Sequence, residues 1–425
     1  MEHLHVKPSW ILSAIMINKF NKLIIILLIT FAGADRINFG ANITDSFKLT
    51  PFLVLSVIFF IITIVFYIKK IKLNWIINNQ YFLFFFAVFL CSVIMSVVFS
   101  QEIMMASKRI ILLFIIIGVF VIILSEYNNS EINTLLITSS IYGSILYYLF
   151  NAIMLLTWLR VIEFNIIQIN LIPDTIGYFI PRLGGFSGDS NRGGFVLSFF
   201  TYILWINRKK FRFSSLLLSV NISMLLITLS RSSYLLLFIL FLSHAILFQR
   251  HLFSIEFMSY LFIPFLVIII GLVQMDKMGI IEIAPVIEER FSITSDKSVS
   301  ASIHFDLIAK GTQLILSDMK YFFLGIGHGL SYILTEGYYW SGSKYGNFHS
   351  QYITIFIENG IFAFISFSFL TIIYPLIKGI NNVILPLLIS LLFFNIFYQL
   401  TNEPIYWLVI LLFYKFQSEY QEIQA

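Results

Sequence analysis

Three short polar stretches interrupt the apolar runs of this 425-residue chain and carry most of its candidate chemistry. They are PRLGGFSGDSNRGG (181–194), ITLSRSSYLLLF (227–238) and GNFHSQYITIFIENG (346–360). The first two contain Arg182 and Arg231, and an arginine guanidinium can bind phosphate through two parallel hydrogen bonds. The third contains His349, and histidine is the side chain best suited to accept a proton near neutral pH. These residue types therefore suit phosphate binding and proton transfer.

Each stretch also has a plainer structural interpretation. In the first stretch, the glycines and the start of the following helix would present N–H groups to an anion. The plainer interpretation is an exposed loop with a helix cap. Arg231 lies between two apolar runs, either in a polar pocket or at a hairpin turn from which it reaches water. His349 is either a general base or a structural histidine at the mouth of a membrane span.

A fourth stretch, YFFLGIGHGLSYI at 321–333, has a GxGxG pattern. No strand precedes it, so the pattern predicts a turn rather than a nucleotide-binding loop, with His328 facing the site or capping the turn. The sequence has no Walker motif and no DxD pair, and His3 and His5 have no carboxylate or cysteine cluster beside them. We therefore expect no metal, no cofactor, no nucleotide-fed reaction and no nucleic-acid partner.

The elements that position these residues are predicted to be membrane helices. The chain is 59% hydrophobic and 12% charged, with a mean hydropathy of +0.91. Apolar runs of about 20 residues recur, and each is long enough to cross a bilayer as a helix. The predicted fold class is an all-α polytopic membrane protein with about 12 transmembrane helices. We expect these spans at about 20–40, 49–68, 81–99, 110–124, 132–158, 193–206, 214–230, 233–248, 255–273, 350–372, 382–400 and 405–415.

Residues 1–34 and the single cysteine, Cys91, complete this outline. The basic flanks and short apolar core of 19–34 fit either a short first span or a cleavable signal peptide. With one cysteine, an internal disulfide is excluded.

Basic clusters predict the orientation of the chain in the membrane. KKIK (69–72) and NRKKFR (207–212) fall on one side, and short loops rich in Lys and Arg stay in the cytoplasm. Both termini are then cytoplasmic, and residues 1–425 form a single integral membrane domain. The opposite, periplasmic side carries one long loop, 274–349, in which apolar residues at helical spacing over 302–316 predict an amphipathic helix at the membrane surface.

The arginines do not follow this rule. Seven of them are predicted on the outer side, namely Arg36, Arg109, Arg160, Arg182, Arg192, Arg231 and Arg290. The positive-inside rule predicts the reverse. Either they bind an anionic, phosphate-bearing substrate at the outer face, or they pair with nearby Asp and Glu.

The order and spacing of these stretches resemble the O-antigen polymerase and O-antigen ligase family of bacterial inner-membrane proteins. The resemblance covers roughly 180–362, and four motif groups carry it. They are Arg182, Gly185 and Asn191; Thr228, Ser230 and Arg231; Gly325 and Gly327; and His349, Ser350 and Gly360. One departure concerns the long loop, where family members often have an arginine at the start of the amphipathic helix. This chain has His304 there, and its nearest upstream arginine is Arg290.

The resemblance implies a glycosyltransferase of the inner membrane with its active site facing the periplasm. The donor would be a glycan on undecaprenyl diphosphate, transferred without metal and with inversion to a sugar hydroxyl. His349 would be the general base, with Arg182 and Arg231 stabilising the diphosphate. Asn191, Gly185, Arg290 and His304 would bind substrate. Expected partners are the donor, the glycan acceptor, membrane lipids and a chain-length regulator protein.

Three functions remain open at this point. A polymerase extends a lipid-linked repeat, whereas an O-antigen ligase moves the finished chain to lipid A–core. The Gly-rich 181–194 stretch and His304 favour the polymerase. A transporter or flippase of the same lipid-linked glycan would need charges within the spans and two similar halves, neither of which the sequence shows.

Overall fold

The computed structural model describes residues 9–40, 48–68, 71–164, 166, 168–171, 174–176, 180–211, 213–248, 266, 270, 273–274, 276–277, 299–336 and 346–424. This part of the chain is mostly helical, as predicted. Its helices are α1 (Ser9–Thr30), α2 (Pro51–Ile62), α3 (Asn74–Ile77), α4 (Gln80–Val98), α5 (Ile103–Glu126), α6 (Asn129–Trp158), α7 (Ser190–Ile206), α8 (Ser214–Ile227), α9 (Arg231–Phe248), α10 (Val299–Ser317), α11 (Met319–Phe323), α12 (Gln351–Ser368), α13 (Tyr374–Lys378), α14 (Leu385–Phe397) and α15 (Pro404–Gln424). Two three-residue strands, β1 (Asp174–Ile176) and β2 (Ile180–Arg182), pair antiparallel before α7.

Five helices in the described part of the chain are long and apolar enough to cross a membrane. They are Gln80–Val98, Ile103–Glu126, Asn129–Trp158, Arg231–Phe248 and Gln351–Lys378, the last being α12, a π-helical turn and α13 in sequence. Three features stay predictions: the count of about 12 spans, the single domain over 1–425 and the periplasmic loop 274–349. The expected span at 255–273 lies outside the described residues except for isolated positions.

The first predicted span, 20–40, is displaced towards the N-terminus. Helix α1 ends at Thr30, and turns follow it. The helix ends here because the next residues make contacts that a helix would not allow. Gly33 lies against α7, where an added Cβ would come within 2.5 Å of Val196. Arg36 Nε donates a hydrogen bond to the Ser187 carbonyl at 2.7 Å.

Helices α7 and α15 are both deeply buried among other helices. Every residue of α15 from Ile405 to Tyr414 is at most 2% exposed, and the α7 residues from Phe195 to Leu204 are equally buried. A helix that is apolar all round is expected to be enclosed by other helices. Arg192 lies in the first turn of α7 and Glu403 directly precedes α15, so the first residues of these two helices bring charged groups together.

Helix α12 is kinked at Gly360, whose φ of +76° and ψ of 179° are not helical. Near this kink the carbonyls of Ile357 and Glu358 accept hydrogen bonds from Ile326 and Gly327 at 2.9 and 3.0 Å. The GxGxG stretch is therefore a turn, as predicted, with positive φ at Gly325, Gly327 and Gly329. The turn is docked on the kinked helix, which makes the kink part of the fold rather than a defect.

The amphipathic helix predicted at 302–316 is present as α10. Leu307 and Ile315 are buried, whereas Phe305 and Leu316 are 63% and 78% exposed. The buried side packs on α12, where Gly311 allows close contact with Ile353. The sequence predicted only loop after this helix, but α11 follows, because Asp318 caps it by accepting a hydrogen bond from Lys320 N–H at 2.7 Å.

Candidate active site

The start of α7 is built by the 181–194 stretch. Asp189 is the N-cap, and its carboxylate accepts hydrogen bonds from the N–H groups of Asn191 and Arg192 at 2.6 and 3.2 Å. Gly193 allows the helix to begin against the preceding loop, since a Cβ would lie 2.2 Å from the Gly184 carbonyl oxygen. The N–H groups at this helix start are thus bonded to a cap, which agrees with the helix-cap interpretation of the stretch.

Asn191 connects the first two polar stretches. Its Oδ1 accepts hydrogen bonds from Arg182 Nη2 at 3.1 Å and from Ser230 Oγ at 2.6 Å. Ser232 Oγ donates to the same oxygen at 3.3 Å. The side-chain amide of Asn191 therefore connects Arg182 with the start of α9, where Arg231 lies. The turn before Arg231 includes Leu229 with a φ of +51°, a conformation that non-glycine residues rarely adopt.

His349 and His304 stack face to face. Their ring centroids are 3.9 Å apart and the rings are inclined by 11°. His349 is held in a left-handed conformation, with a φ of +51°, by a turn in which its N–H donates to Asn347 Oδ1 at 2.7 Å. Backbone strain of this kind persists only where surrounding contacts impose it, and it is concentrated at functional sites.

The electrostatic environment keeps both imidazoles neutral at physiological pH. Burial, and secondarily the neighbouring His304, lowers the pKa of His349 to about 4. Burial and the charge of Arg231 lower the pKa of His304. The Asp189 carboxylate acts in the opposite direction on both rings. Arg231, Asp189 and the histidine pair are thus close enough to interact through their charges.

The structure brings together most of the site residues named from the sequence. Arg182 and Asn191 are hydrogen-bonded, Ser230 joins them to Arg231, and Arg231 acts electrostatically on the stacked histidine pair. Arg290 lies outside the described residues.

Gly185 is turned towards α6. Its N–H donates to Asn151 Oδ1 at 2.7 Å, its φ is +62°, and a Cβ would lie 2.3 Å from the Tyr147 ring. These contacts explain why glycine is required at this position. Its contact with substrate stays a prediction.

Asp35 and Glu403 are two charged residues at this site that no sequence motif predicted. Arg192 Nε lies 2.7 Å from Glu403 Oε1, and the same guanidinium also contacts Asp35 Oδ2 through Nη1. Asp35 directly follows one apolar run and Glu403 directly precedes another. A charged residue at the end of an apolar run is the sequence feature that could have marked both as candidates. For Arg192, the interpretation of the outer arginines as partners of Asp and Glu is therefore correct.

The two carboxyl groups differ in protonation. Burial raises the pKa of Glu403 to about 7, although Arg192 acts against it. Burial alone would raise the pKa of Asp35, but Arg192, Lys48 and the Gly188 N–H outweigh it, and the pKa is lowered. Arg192 thus stabilises one carboxylate that is ionised at neutral pH and one carboxyl that titrates near neutral pH.

A polar cavity of about 120 Å³ connects this charged group with the histidine turn. Arg192, Tyr398 and Glu403 line one part of it, and Asn347, which holds His349, lines another. Among the described residues, no group of three or more His, Cys, Asp or Glu side chains could hold a metal ion.

Residues 213–368 match the family described as O-antigen ligase. The family resemblance is confirmed. The match includes Arg231, His304 and His349 but not Arg182, Gly185 or Asn191, and it supports O-antigen ligase- or polymerase-type glycosyl transfer in general. Together with the apolar helices, it indicates a membrane protein with glycosyltransferase-like activity. Neither the curated proteins nor the solved structures gave a match.

Proposed function

We propose that this protein transfers a glycan from undecaprenyl diphosphate to a sugar hydroxyl at the periplasmic face of the bacterial inner membrane, and that it polymerises O-antigen or a similar surface polysaccharide. The observation that carries the proposal is the single cluster formed by Arg182, Asn191, Arg231 and the His304–His349 pair. It combines phosphate-binding groups with a neutral imidazole, which are the two functions that this transfer requires.

His349 accepts the proton of the acceptor hydroxyl in this mechanism. The hydroxyl oxygen forms a bond to the anomeric carbon as the bond from that carbon to the diphosphate oxygen breaks. The electron pair leaves with the diphosphate, and attack from the opposite face inverts the anomeric centre. Because burial lowers the pKa of His349 to about 4, the ring is neutral and able to accept the proton. A bound diphosphate raises that pKa, since an anion stabilises the imidazolium.

Arg182 and Arg231 stabilise the charge that develops on the leaving diphosphate. Arg182 is oriented by Asn191 Oδ1, and Asn191 is fixed in turn by Ser230. Donors that are already in place lower the barrier because they need not reorganise during the reaction. His304, and Arg290 from the long loop, assist in binding the phosphates. No step of this mechanism uses a metal.

A ligase is the second candidate, because the matched family is described as O-antigen ligase. It would use the same donor and the same cluster, with lipid A–core as acceptor. Ligases of this family usually have an arginine at the position of His304, so the histidine favours the polymerase. The lipopolysaccharide ladder of a deletion strain separates the two. A single repeat on the core indicates loss of a polymerase, and bare core with accumulating lipid-linked chains indicates loss of a ligase.

The proposal is tested by complementing that strain with His349→Ala. We expect the full ladder from the wild-type chain and none from the variant, at equal protein levels in the membrane. Lys209→Ala, which removes one exposed charge far along the chain from His349, is the control and should restore the ladder. A full ladder from His349→Ala would rule out the base assignment. A shift in glycan chain length produced by the purified wild-type protein would exclude a transport role.

A further inference from the structure

A second cavity, of about 210 Å³, lies beside the one that reaches Asn347. It is bounded by the turn after α1, the start of α2, helix α5 and the start of α15. Both cavities are lined by Arg109, Arg192, Asn402 and Glu403, so they adjoin at these residues. The larger one therefore lies at the far end of a polar path that begins at the His349 turn.

Four basic and two acidic side chains line the larger cavity, and the acids are already paired. Asp35 is in contact with Arg192 and with Lys48, whose Nζ lies 3.6 Å from Asp35 Oδ2, and Glu403 is in contact with Arg192. The lining keeps an excess of positive charge. A cavity with this imbalance attracts an anion.

Lys108 is the residue that most clearly lacks a protein partner. It is half-buried on α5 and lines the cavity. Within the described ranges of the chain, no carboxylate and no hydrogen-bond acceptor pairs with it. A partly buried ammonium without a counter-charge is unfavourable, and a bound anion would remove that cost.

The remaining wall of the cavity is apolar. Phe52 and Leu53 of α2 line it together with Leu112 and Ile116 of α5. The outer sides of the same two helices expose Ile61 and Ile111 at 58% and 54%. A site that combines a cationic end with an apolar wall fits an amphiphilic anion, that is, a phosphate attached to a hydrocarbon chain.

From these observations we infer that the cavity around Lys108 binds the phosphate of a lipid-linked glycan acceptor, separately from the donor diphosphate at Arg182 and Arg231. That the bound molecule is the acceptor rests on the proposed function, whereas the anion site itself does not. The acceptor's sugars would follow the polar path past Arg192 towards Asn347 and reach His349 with a free hydroxyl. A polymerase needs such a second phosphate site because its donor and its acceptor are both lipid-linked.

Binding is tested on the purified full-length protein in detergent, with farnesyl diphosphate as the probe and native mass spectrometry as the readout. We expect two bound diphosphates on the wild-type chain and one on Lys108→Ala, whose second site should be weakened by about tenfold or more, the loss typical of a hydrogen bond to a charged group. Lys108→Arg keeps the charge and should still bind two. Lys209→Ala is the matched control and should also bind two.

Arg231→Ala distinguishes this inference from the proposed function. If it removes one diphosphate and Lys108→Ala removes the other, both proposals are supported. If Lys108→Ala removes a diphosphate and Arg231→Ala removes none, the acceptor site stands and the donor assignment fails. If Lys108→Ala binds the probe as the wild-type chain does, the inference is overturned, whatever Arg231→Ala does.

Turnover then identifies the source of the phosphate. In a polymerase, Lys108→Ala should raise the KM for the lipid-linked repeat used as acceptor and leave the KM for the donor unchanged. In a ligase, the KM for phosphorylated lipid A–core would rise instead. An unchanged KM for both acceptors would contradict an acceptor role.

Discussion

Arg231 illustrates how much the type of a residue determines at this site. It lies at the first position of α9, next to Ser230, which is fixed on Asn191, and its charge acts on His304. Lysine at this position would preserve the charge and hence its effect on His304. It would not preserve the planar arrangement of donors that binds a phosphate in two places.

We therefore expect Arg231→Lys to lower turnover by about a hundredfold, since removal of a single well-placed donor of this kind costs about 3 kcal/mol. The measurement is the rate of transfer from purified lipid-linked donor. Arg208→Lys is the matched control, because Arg208 packs over the Trp205 ring, 4.4 Å from its centroid, and should have no effect on transfer. Two-point phosphate binding would be refuted by unchanged turnover and unchanged donor KM in Arg231→Lys.

At the scale of elements, the motif glycines maintain the shape of α12. An added Cβ at Gly325 would lie 2.3 Å from the Glu358 carbonyl oxygen, and one at Gly360 would lie 2.1 Å from the Phe323 carbonyl oxygen. The two glycines thus allow the 325–329 turn to contact the kinked helix through the backbone. Residues of the turn also contact Arg109, since Gly329 lies against its side chain. These glycines therefore hold the turn and the kinked helix together through close backbone packing.

Gly360→Ala should destabilise the protein. The φ of +76° costs an alanine about 1–3 kcal/mol in addition to the clash with Phe323. The expected result is a lower midpoint of thermal unfolding in detergent. Gly118→Ala is the control, because its Cβ would meet Phe60 at 3.4 Å, an ordinary contact, and alanine favours the helix. Equal midpoints for the two variants would show that the kink is not needed for stability.

The sequence predicted where the helices lie better than it predicted which residues of different helices are in contact. Apolar runs located most of the described helices to within a few residues, because length and hydropathy are local properties. The cluster of Arg182, Asn191, Arg231 and His349 was accessible because each lies in a polar stretch between such runs. Asp35, Arg192 and Glu403 meet only because the turn after α1 and the first residues of α7 and α15 come together in the folded chain. Helices that are apolar all round carry no periodic signal for which partner they contact.

At the scale of the whole molecule, buried titratable groups make stability depend on pH in two opposing ways. Burial lowers the pKa of His328 and of His349 to about 4. His328 is 1% exposed, and its Nδ1 lies 3.2 Å from Asn359 Oδ1. Burial raises the pKa of Glu403 to about 7. The histidines therefore favour the folded state at neutral pH, and Glu403 favours it at lower pH.

The direction for the histidines follows from where protons bind. An unfolded chain protonates these rings near pH 6.5, whereas the folded chain does so only near pH 4, so the free energy of unfolding falls as the pH drops through this interval. At pH 5 the loss is about 2 kcal/mol for each ring. We expect His349→Gln to remove one such contribution, and its thermal midpoint should fall less between pH 7 and pH 5 than that of the wild-type chain.

The contribution of Glu403 to the pH dependence of stability has the opposite sign from that of His349. His349→Gln and Glu403→Gln are therefore a matched pair of variants. The folded carboxyl holds its proton up to about pH 7, and the unfolded one releases it near pH 4.5, so acidification from pH 7 to pH 5 stabilises the protein through this group by about 2 kcal/mol. Glu403→Gln lacks that gain, and its thermal midpoint should fall more on acidification than that of the wild-type chain. Comparing each variant with itself at the two pH values cancels any general effect of the substitution. If both variants shifted in the same direction relative to the wild-type chain, the protonation states assigned to His349 and Glu403 could not both be correct.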